Sequence, residues 1–189
     1  MSEPTAPAAR CSAAPTTGSG APPDDAPAAA PGELTALVIS VSDRAFRGIY
    51  ADRGGPLAAE LLARHDIATI DIVLVPDEPD LISAAIAAGI AAGHNLVLTT
   101  GGTGVGPRDV TPEATAPLLE RQVPGIAEAI RVTSLPRVPT AALSRGLAGV
   151  SGSTLVVNLP GSTGGVKDGI AVVGPLVGHV AAMIRGESH

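Results

Sequence analysis

Residues 96–113 read LVLTTGGTGVGPRDVTPE, and their order decides the fold class. Leu96, Val97 and Leu98 are a short apolar run, read as a buried strand that ends in Thr99 and Thr100. The chain then breaks into Gly101, Gly102, Thr103 and Gly104. Asp109 follows, and Thr111-Pro112-Glu113 reads as a helix start, with Thr111 as N-cap and Pro112 at the first helical position. Strand, glycine loop, acid and helix N-terminus make a corner suited to an anion, with a metal-capable carboxylate beside it. A loop around a phosphate turns its N–H groups inward and brings its backbone close to the ligand, which a Cβ would obstruct. Thr99, Thr100 and Thr103 add hydroxyls. No Lys-Ser or Lys-Thr follows the glycines, so this is no P-loop, and Gly102-x-Gly104-x-Gly106 is not the dinucleotide spacing. On glycines alone, a tight strand-to-helix turn competes with a phosphate cradle.

Outward from this corner, strands and helices alternate. Strands are expected over Thr35–Val41, Thr69–Val75, Asn95–Thr100 and Thr154–Leu159. Helices are expected over Gly54–Arg64, Leu81–Ala92 and Val123–Thr133, the last entered through Pro124. A final helix over Gly165–Arg185 carries the stripe Val166, Ile170, Val173, Val177, Val180, Ile184, and Pro175 should kink or split it. This order predicts an α/β fold, a mostly parallel sheet with helices on both faces. Ligands of such sheets sit at the carboxyl ends of the strands. That gathers Ser42-Asp43, Asp77-Glu78, the loop from Thr99 to Asp109, and Pro160-Gly161-Ser162 into one crevice.

Two carboxylates stand out. Asp109 has no capping duty if Thr111 caps, which leaves it as a Mg²⁺ ligand or an Asx-turn residue. Asp77 precedes Glu78-Pro79 and is either an N-cap or a second ligand. Asp43 assists them or pairs with Arg44 or Arg47. Phe46 and Tyr50, the only aromatics, cover the pocket or pack against a neighbouring subunit. Arg108 contacts phosphate or is a solvated ion-pair partner. The four histidines form no zinc pattern, and no HExxH or GxSxG occurs.

Composition divides the chain near Gly32. Residues 1–33 hold seven of the 18 prolines and no Val, Ile, Leu or aromatic residue, so a disordered tail is expected there. With no apolar stretch and one Arg against four acids, it reads as neither secretory signal nor transit peptide. The 156 residues of 34–189 suit one domain. No apolar run is expected to span a membrane. Cys11, the only cysteine, allows no internal disulfide, which fits a reducing cytoplasm. The net charge is −6, without a basic cluster, which argues against nucleic acid as a partner.

The segment TTGGTG-x-G-x-RDVTPEAT (Thr99 to Thr115) resembles the molybdopterin adenylyltransferases, the MogA/MoaB group of molybdenum-cofactor biosynthesis proteins. SVSDRAFRGIYADRGGP (Ser40 to Pro56), VPDE (Val75 to Glu78), VPGIAEAIR (Val123 to Arg131) and LSRGLAGVSGSTLVVNLPGS (Leu143 to Ser162) are similar to the same group. PRVPTAALSRG and LPGSTGGVKDG look closer to its MogA-type members. The resemblance covers about Leu34 to Arg185 and implies a three-layer αβα sandwich over 34–189. It implies transfer of AMP from ATP to molybdopterin, with Mg²⁺ held by a catalytic pair, here Asp77 and Asp109. Substrate-binding positions implied are Ser42, Asp43, Thr100, Gly101, Gly102, Thr103, Gly104, Thr111, Glu113, Ser144, Pro160, Gly161 and Ser162, with Ser144 near the pterin. It also implies a homo-oligomer, a trimer or else a hexamer, and the molybdate-inserting enzyme of the pathway as a partner. That enzyme's domain is not expected within this length. A pterin-binding or interaction member without catalysis is the alternative.

Overall fold

The structure, a computed structural model, describes residues 33–187. The tail expected over 1–33 lies outside them, Glu33 apart. Four parallel strands form the centre: β1 (Leu34–Val41), β2 (Ile67–Val75), β3 (Leu96–Thr100) and, later in the chain, β6 (Thr154–Leu159). β4 (Arg121–Gln122) and β5 (Ala148–Ser151) extend the sheet antiparallel beside β6, giving the order β2-β1-β3-β6-β5-β4. Neither was expected from sequence. Arg121–Gln122 is only a pair of exposed polar residues. β5 is read only in its tight hairpin with β6, where Ser151 pairs with Thr154.

The strand pleat sorts the core into two layers. Ala36 and Val38 of β1, Leu96 and Leu98 of β3, and Leu155, Val157 and Leu159 of β6 face one side. There they meet α2 (Gly54–Leu62), α5 (Pro124–Ser134), α6 (Thr163–Val173) and α7 (Val177–Ile184). Leu37, Ile39, Val97 and Val156 face the other side, against α3 (Pro79–Ala91) and α4 (Thr111–Thr115). The sheet is thus covered on both faces, a three-layer αβα sandwich. Burying each of these Val, Leu and Ile side chains contributes about 1.5–3 kcal/mol.

Pro175 splits the last helix, as its missing N–H requires: a 3₁₀ turn, Gly174–Leu176, separates α6 from α7. Together, Thr163–Ile184 is nevertheless long and apolar enough to cross a membrane, contrary to the sequence expectation. That is by length and composition only, and packing against the core accounts for one face of it. Val166, Ile170, Val173, Val177 and Ala181 are all within 3% of full burial in the core.

The site follows from topology. From β1 the chain crosses through α2 to β2 on one side, then returns through α3 to β3 on the other side of β1. Right-handed crossovers in opposite directions put α2 and α3 on opposite faces, so a crevice opens between the carboxyl ends of β1 and β3.

Candidate functional site

Two adjoining clefts, about 410 and 400 Å³, lie at these strand ends and share Gly102 and Gly161. The first holds Ser42, Asp43, Asp77, Thr100 and Gly101. The second holds Thr103, Gly104, Asp109, Ser144, Pro160 and Ser162. The expected crevice is therefore two chambers with a common wall of two glycine loops, where a Cβ on Gly161 would lie 3.2 Å from Gly101 Cα.

The glycine loop has an anion-binding polarity. Gly101 and Gly102 take φ of 110° and 63°, and a side chain at 101 would run into the Val41 carbonyl. The carbonyls of Gly101 through Gly104 and of Gly106 are occupied from within the protein. Gly101 O accepts from Thr111 Oγ1 at 2.9 Å and Gly102 O from the Thr111 N–H at 3.0 Å. Thr103 O accepts from the Arg145 N–H, Gly104 O from Arg145 Nε, and Gly106 O from the Asp109 N–H. Among the described residues, the N–H groups of Gly102, Thr103 and Gly104 meet no acceptor. Carbonyls spent and amides unspent make a nest for negative charge. Ser162 caps α6 beside it, accepting from the Gly165 N–H at 3.1 Å.

The two carboxylates flank this loop from separate chambers. Asp77 Oδ2 accepts from the Asp43 N–H at 2.7 Å, while Oδ1 faces the loop, 3.4 Å from where a Cβ on Gly102 would stand. Asp109 Oδ2 accepts from the Gly106 N–H at 2.8 Å. Capping is not the duty of Asp77: Glu78 is the N-cap of α3, and its side chain makes no cap bond. Thr111 is not the N-cap of α4 either. Val110 holds that position, and Thr111 is buried behind the loop as a strut. Glu113 lies outside both clefts and pairs with Arg145.

Among the described residues no three His, Cys, Asp or Glu side chains gather as a cage. Mg²⁺ does not require one, because it is held by one or two carboxylates together with substrate phosphates and water. Asp77 and Asp109 each have one oxygen tied to a backbone amide, so each could offer its other oxygen to Mg²⁺ beside substrate phosphates.

Asp43 lines the first chamber beside Asp77. Ser42 caps α1 (Asp43–Phe46), and Arg108 reaches across to Asp43 Oδ2 at 2.5 Å. Burial pushes the Asp43 carboxyl up. The Arg108 hydrogen bond, the Asp77 N–H and the Arg108 and Arg47 charges outweigh it, so the carboxyl stays below its ordinary value. Arg108 is thus an ion-pair partner. Tyr50 lines the first cleft, with its hydroxyl 2.8 Å from Ser42 Oγ and Arg44 over its ring, whereas Phe46 is outside both clefts.

Residues 37–179 match a family described as a probable molybdopterin binding domain. The chain belongs to this family. A molybdenum cofactor biosynthesis bifunctional protein of Synechococcus elongatus is 43% identical over 167 residues, 88% of this chain and 52% of its own. The chain thus spans about half the length of that relative. The molybdopterin adenylyltransferase of Helicobacter pylori is 39% identical over 152 residues, 79% of this chain and 86% of its own. The crystal structure of a molybdopterin biosynthesis protein from Mycobacterium abscessus superposes with a TM-score of 0.77 at 45% identity. It covers 81% of this chain and 97% of its own.

In this member of the family, sequence reasoning missed Asp52, Ser134, Asp168 and Arg145. Asp52 accepts from Ser40 Oγ at 2.6 Å and from the Gly54 N–H at 2.9 Å, closing the rear of the first cleft. Asp168, in the second, accepts from Ser134 at 2.7 Å and pairs with Arg137. The LSRG motif did contain Arg145, but nothing in one dimension linked it to a loop some forty residues earlier.

Proposed function

We propose that this chain is a molybdopterin adenylyltransferase that transfers AMP from ATP to the terminal phosphate of molybdopterin. A molybdopterin phosphate oxygen attacks the α-phosphorus of ATP, and the bond from that phosphorus to its bridging oxygen breaks. Pyrophosphate leaves with the electron pair. The observation that carries this reading is the pair of clefts meeting at one loop of unspent amides. Such a wall lets two phosphate-bearing substrates meet end to end. Ser144, which the resemblance puts near the pterin, lines the second cleft, so that cleft takes the pterin and the first takes the nucleotide.

Mg²⁺ held by Asp77 and Asp109 would neutralise charge on the triphosphate and on the leaving pyrophosphate. The Gly102, Thr103 and Gly104 amides would hold the phosphate oxygens where they react, and Ser162 would keep the α6 N-terminus turned toward them. No covalent enzyme intermediate is needed. A homotrimer fits the large apolar side chains left exposed outside the clefts, among them Ile49, Ile72, Val132 and Met183. The longer bifunctional relative supports a molybdate-inserting partner.

The test is pyrophosphate release from ATP and Mg²⁺ with and without molybdopterin. Release that depends on molybdopterin and yields its adenylate supports the reading. Tight molybdopterin binding without release would make the chain a binding member instead.

A further inference from the structure

We propose that Arg145 is the positioning residue of the glycine loop: by holding the loop's carbonyls to the rear, it sets the amides and Asp109 toward the phosphates. The inference rests on the adenylyltransferase reading for what is bound, but not for how the loop is held.

Arg145 grips the loop along its length. Its N–H donates to Thr103 O at 2.8 Å. Its Nε donates to Gly104 O and its Nη2 to Asp109 O, both at 2.6 Å. The same guanidinium pairs with the Glu113 carboxylate, with Nη2 3.3 Å from Oε2. The arginine is itself fixed. Arg131 Nη1, from α5, donates to Ser144 O and Gly146 O on either side of it, each at 3.3 Å. A route therefore runs from the core helix α5 through residues 144–146 to the loop.

The chemistry of the groups explains why an arginine stands here. A carbonyl turned into the clefts would repel a phosphate, so the carbonyls beside the open amides, Gly102 to Gly104, need donors elsewhere. Arginine offers five N–H donors in a rigid planar fork, enough for two carbonyls and a carboxylate together. Lysine offers a point charge on a flexible stem. Glu113, which sequence placed among the substrate contacts, instead orients the fork. That pairing counts for little as stability, since both partners are substantially exposed. Its effect lies in the geometry of the loop.

Arg145→Ala and Arg145→Lys test this in the full chain, by three readouts. The first is hydrogen–deuterium exchange without ligand. Both variants should exchange the protected amides of Gly106, Asp109 and Thr111 at least ~10-fold faster, with β1, β3 and α5 unchanged. The second is turnover with MgATP and molybdopterin, which should fall at least ~30-fold in both. The third is rescue: millimolar guanidinium should restore part of the turnover of Arg145→Ala and none of Arg145→Lys, whose ammonium fills the space. Should the alanine variant not fold, the lysine variant decides by the first two readouts. Wild-type exchange in the loop, or wild-type turnover by Arg145→Lys, would overturn the proposal. Wild-type protein without pyrophosphate release would instead refute the adenylyltransferase reading and leave the exchange result standing.

Discussion

Asp43 and Asp77 exchange backbone hydrogen bonds across the mouth of the first cleft. The Asp43 N–H donates to Asp77 Oδ2 at 2.7 Å, and the Asp77 N–H donates to Asp43 Oδ1 at 3.2 Å. This reciprocal pair fixes the turn after β2 against the start of α1 and holds Asp77 Oδ1 toward the glycine loop. Asp77→Asn keeps an oxygen acceptor for the Asp43 amide and removes the charge. Stability should change by less than about 0.5 kcal/mol, as is usual away from the core. Turnover should fall at least ~100-fold, about 3 kcal/mol of transition-state stabilisation. Wild-type turnover at saturating ATP and Mg²⁺ would remove Asp77 from the metal site.

Gly102 and Gly104 look alike in sequence and differ in structure. Gly102 has φ 63° and packs against Thr111 Oγ1, so any side chain there strains the fold as well as the cleft. Gly104 is not among the positive-φ positions, but a Cβ on it would stand 2.8 Å from Asp109 Oδ2. Gly104→Ala must therefore push Asp109 off the Gly106 amide. The expected result is a turnover loss of at least ~10-fold for a stability loss of about 1 kcal/mol. Gly102→Ala should lose more stability than Gly104→Ala in urea titration. The reverse order would show that the loop conformation is misassigned.

β1, β3 and β6 were legible because each is a mainly apolar run buried on both faces, and β2, a half-exposed edge strand, because it is rich in β-branched residues. The glycine loop, Asp77, Asp109 and the LPGS corner were legible because strand ends gather at one edge. What stayed hidden depends on contacts between distant segments. Arg121–Gln122 is a strand only because Val150 and Gly149 lie beside it. Thr111 looked like a cap because Thr-Pro-Glu is a common helix start, but burial turned its hydroxyl to Gly101 O. Glu113 was a ligand position only by resemblance, and its pairing with Arg145 could not be read from either residue alone. Asn158 gave no signal at all, being a polar residue in the middle of TLVVNL.

Asn158 ties β6 to the loop's supporting helix. It is 2% exposed, and its Nδ2 donates to Thr99 Oγ1 and Thr115 Oγ1, each at 3.0 Å. Its Oδ1 accepts from the Leu147 N–H at 3.1 Å. Asn158→Leu preserves bulk but leaves that amide and two hydroxyls without this partner in a dry core. The expected loss is about 2–4 kcal/mol in urea unfolding. A loss under about 0.5 kcal/mol would mean that water or a shift of α4 satisfies the same groups.

His94 should make stability fall in mild acid. It precedes β3, at the amino ends of the strands, where its carbonyl accepts from Thr154 Oγ1 at 2.7 Å. Its side chain is 14% exposed, with Nε2 3.7 Å from Asp71 Oδ2. Its Nδ1 is buried without a hydrogen-bond partner among the described residues. Burial pushes the imidazole below its ordinary value, and the Asp71 carboxylate only partly offsets this. A histidine kept neutral by folding gives stability that is complete above the unfolded pKa, about 6.5. As pH falls below that value, the unfolded chain takes up a proton that the folded chain resists, so stability declines until the folded imidazole also titrates. Urea midpoints at about pH 7.5 and about pH 5.5 should therefore differ more in the wild type than in His94→Gln. Asp71→Asn should widen the gap, because it removes the one charge that favours the protonated ring. An equal acid loss in wild type and His94→Gln would assign the effect to carboxylates instead.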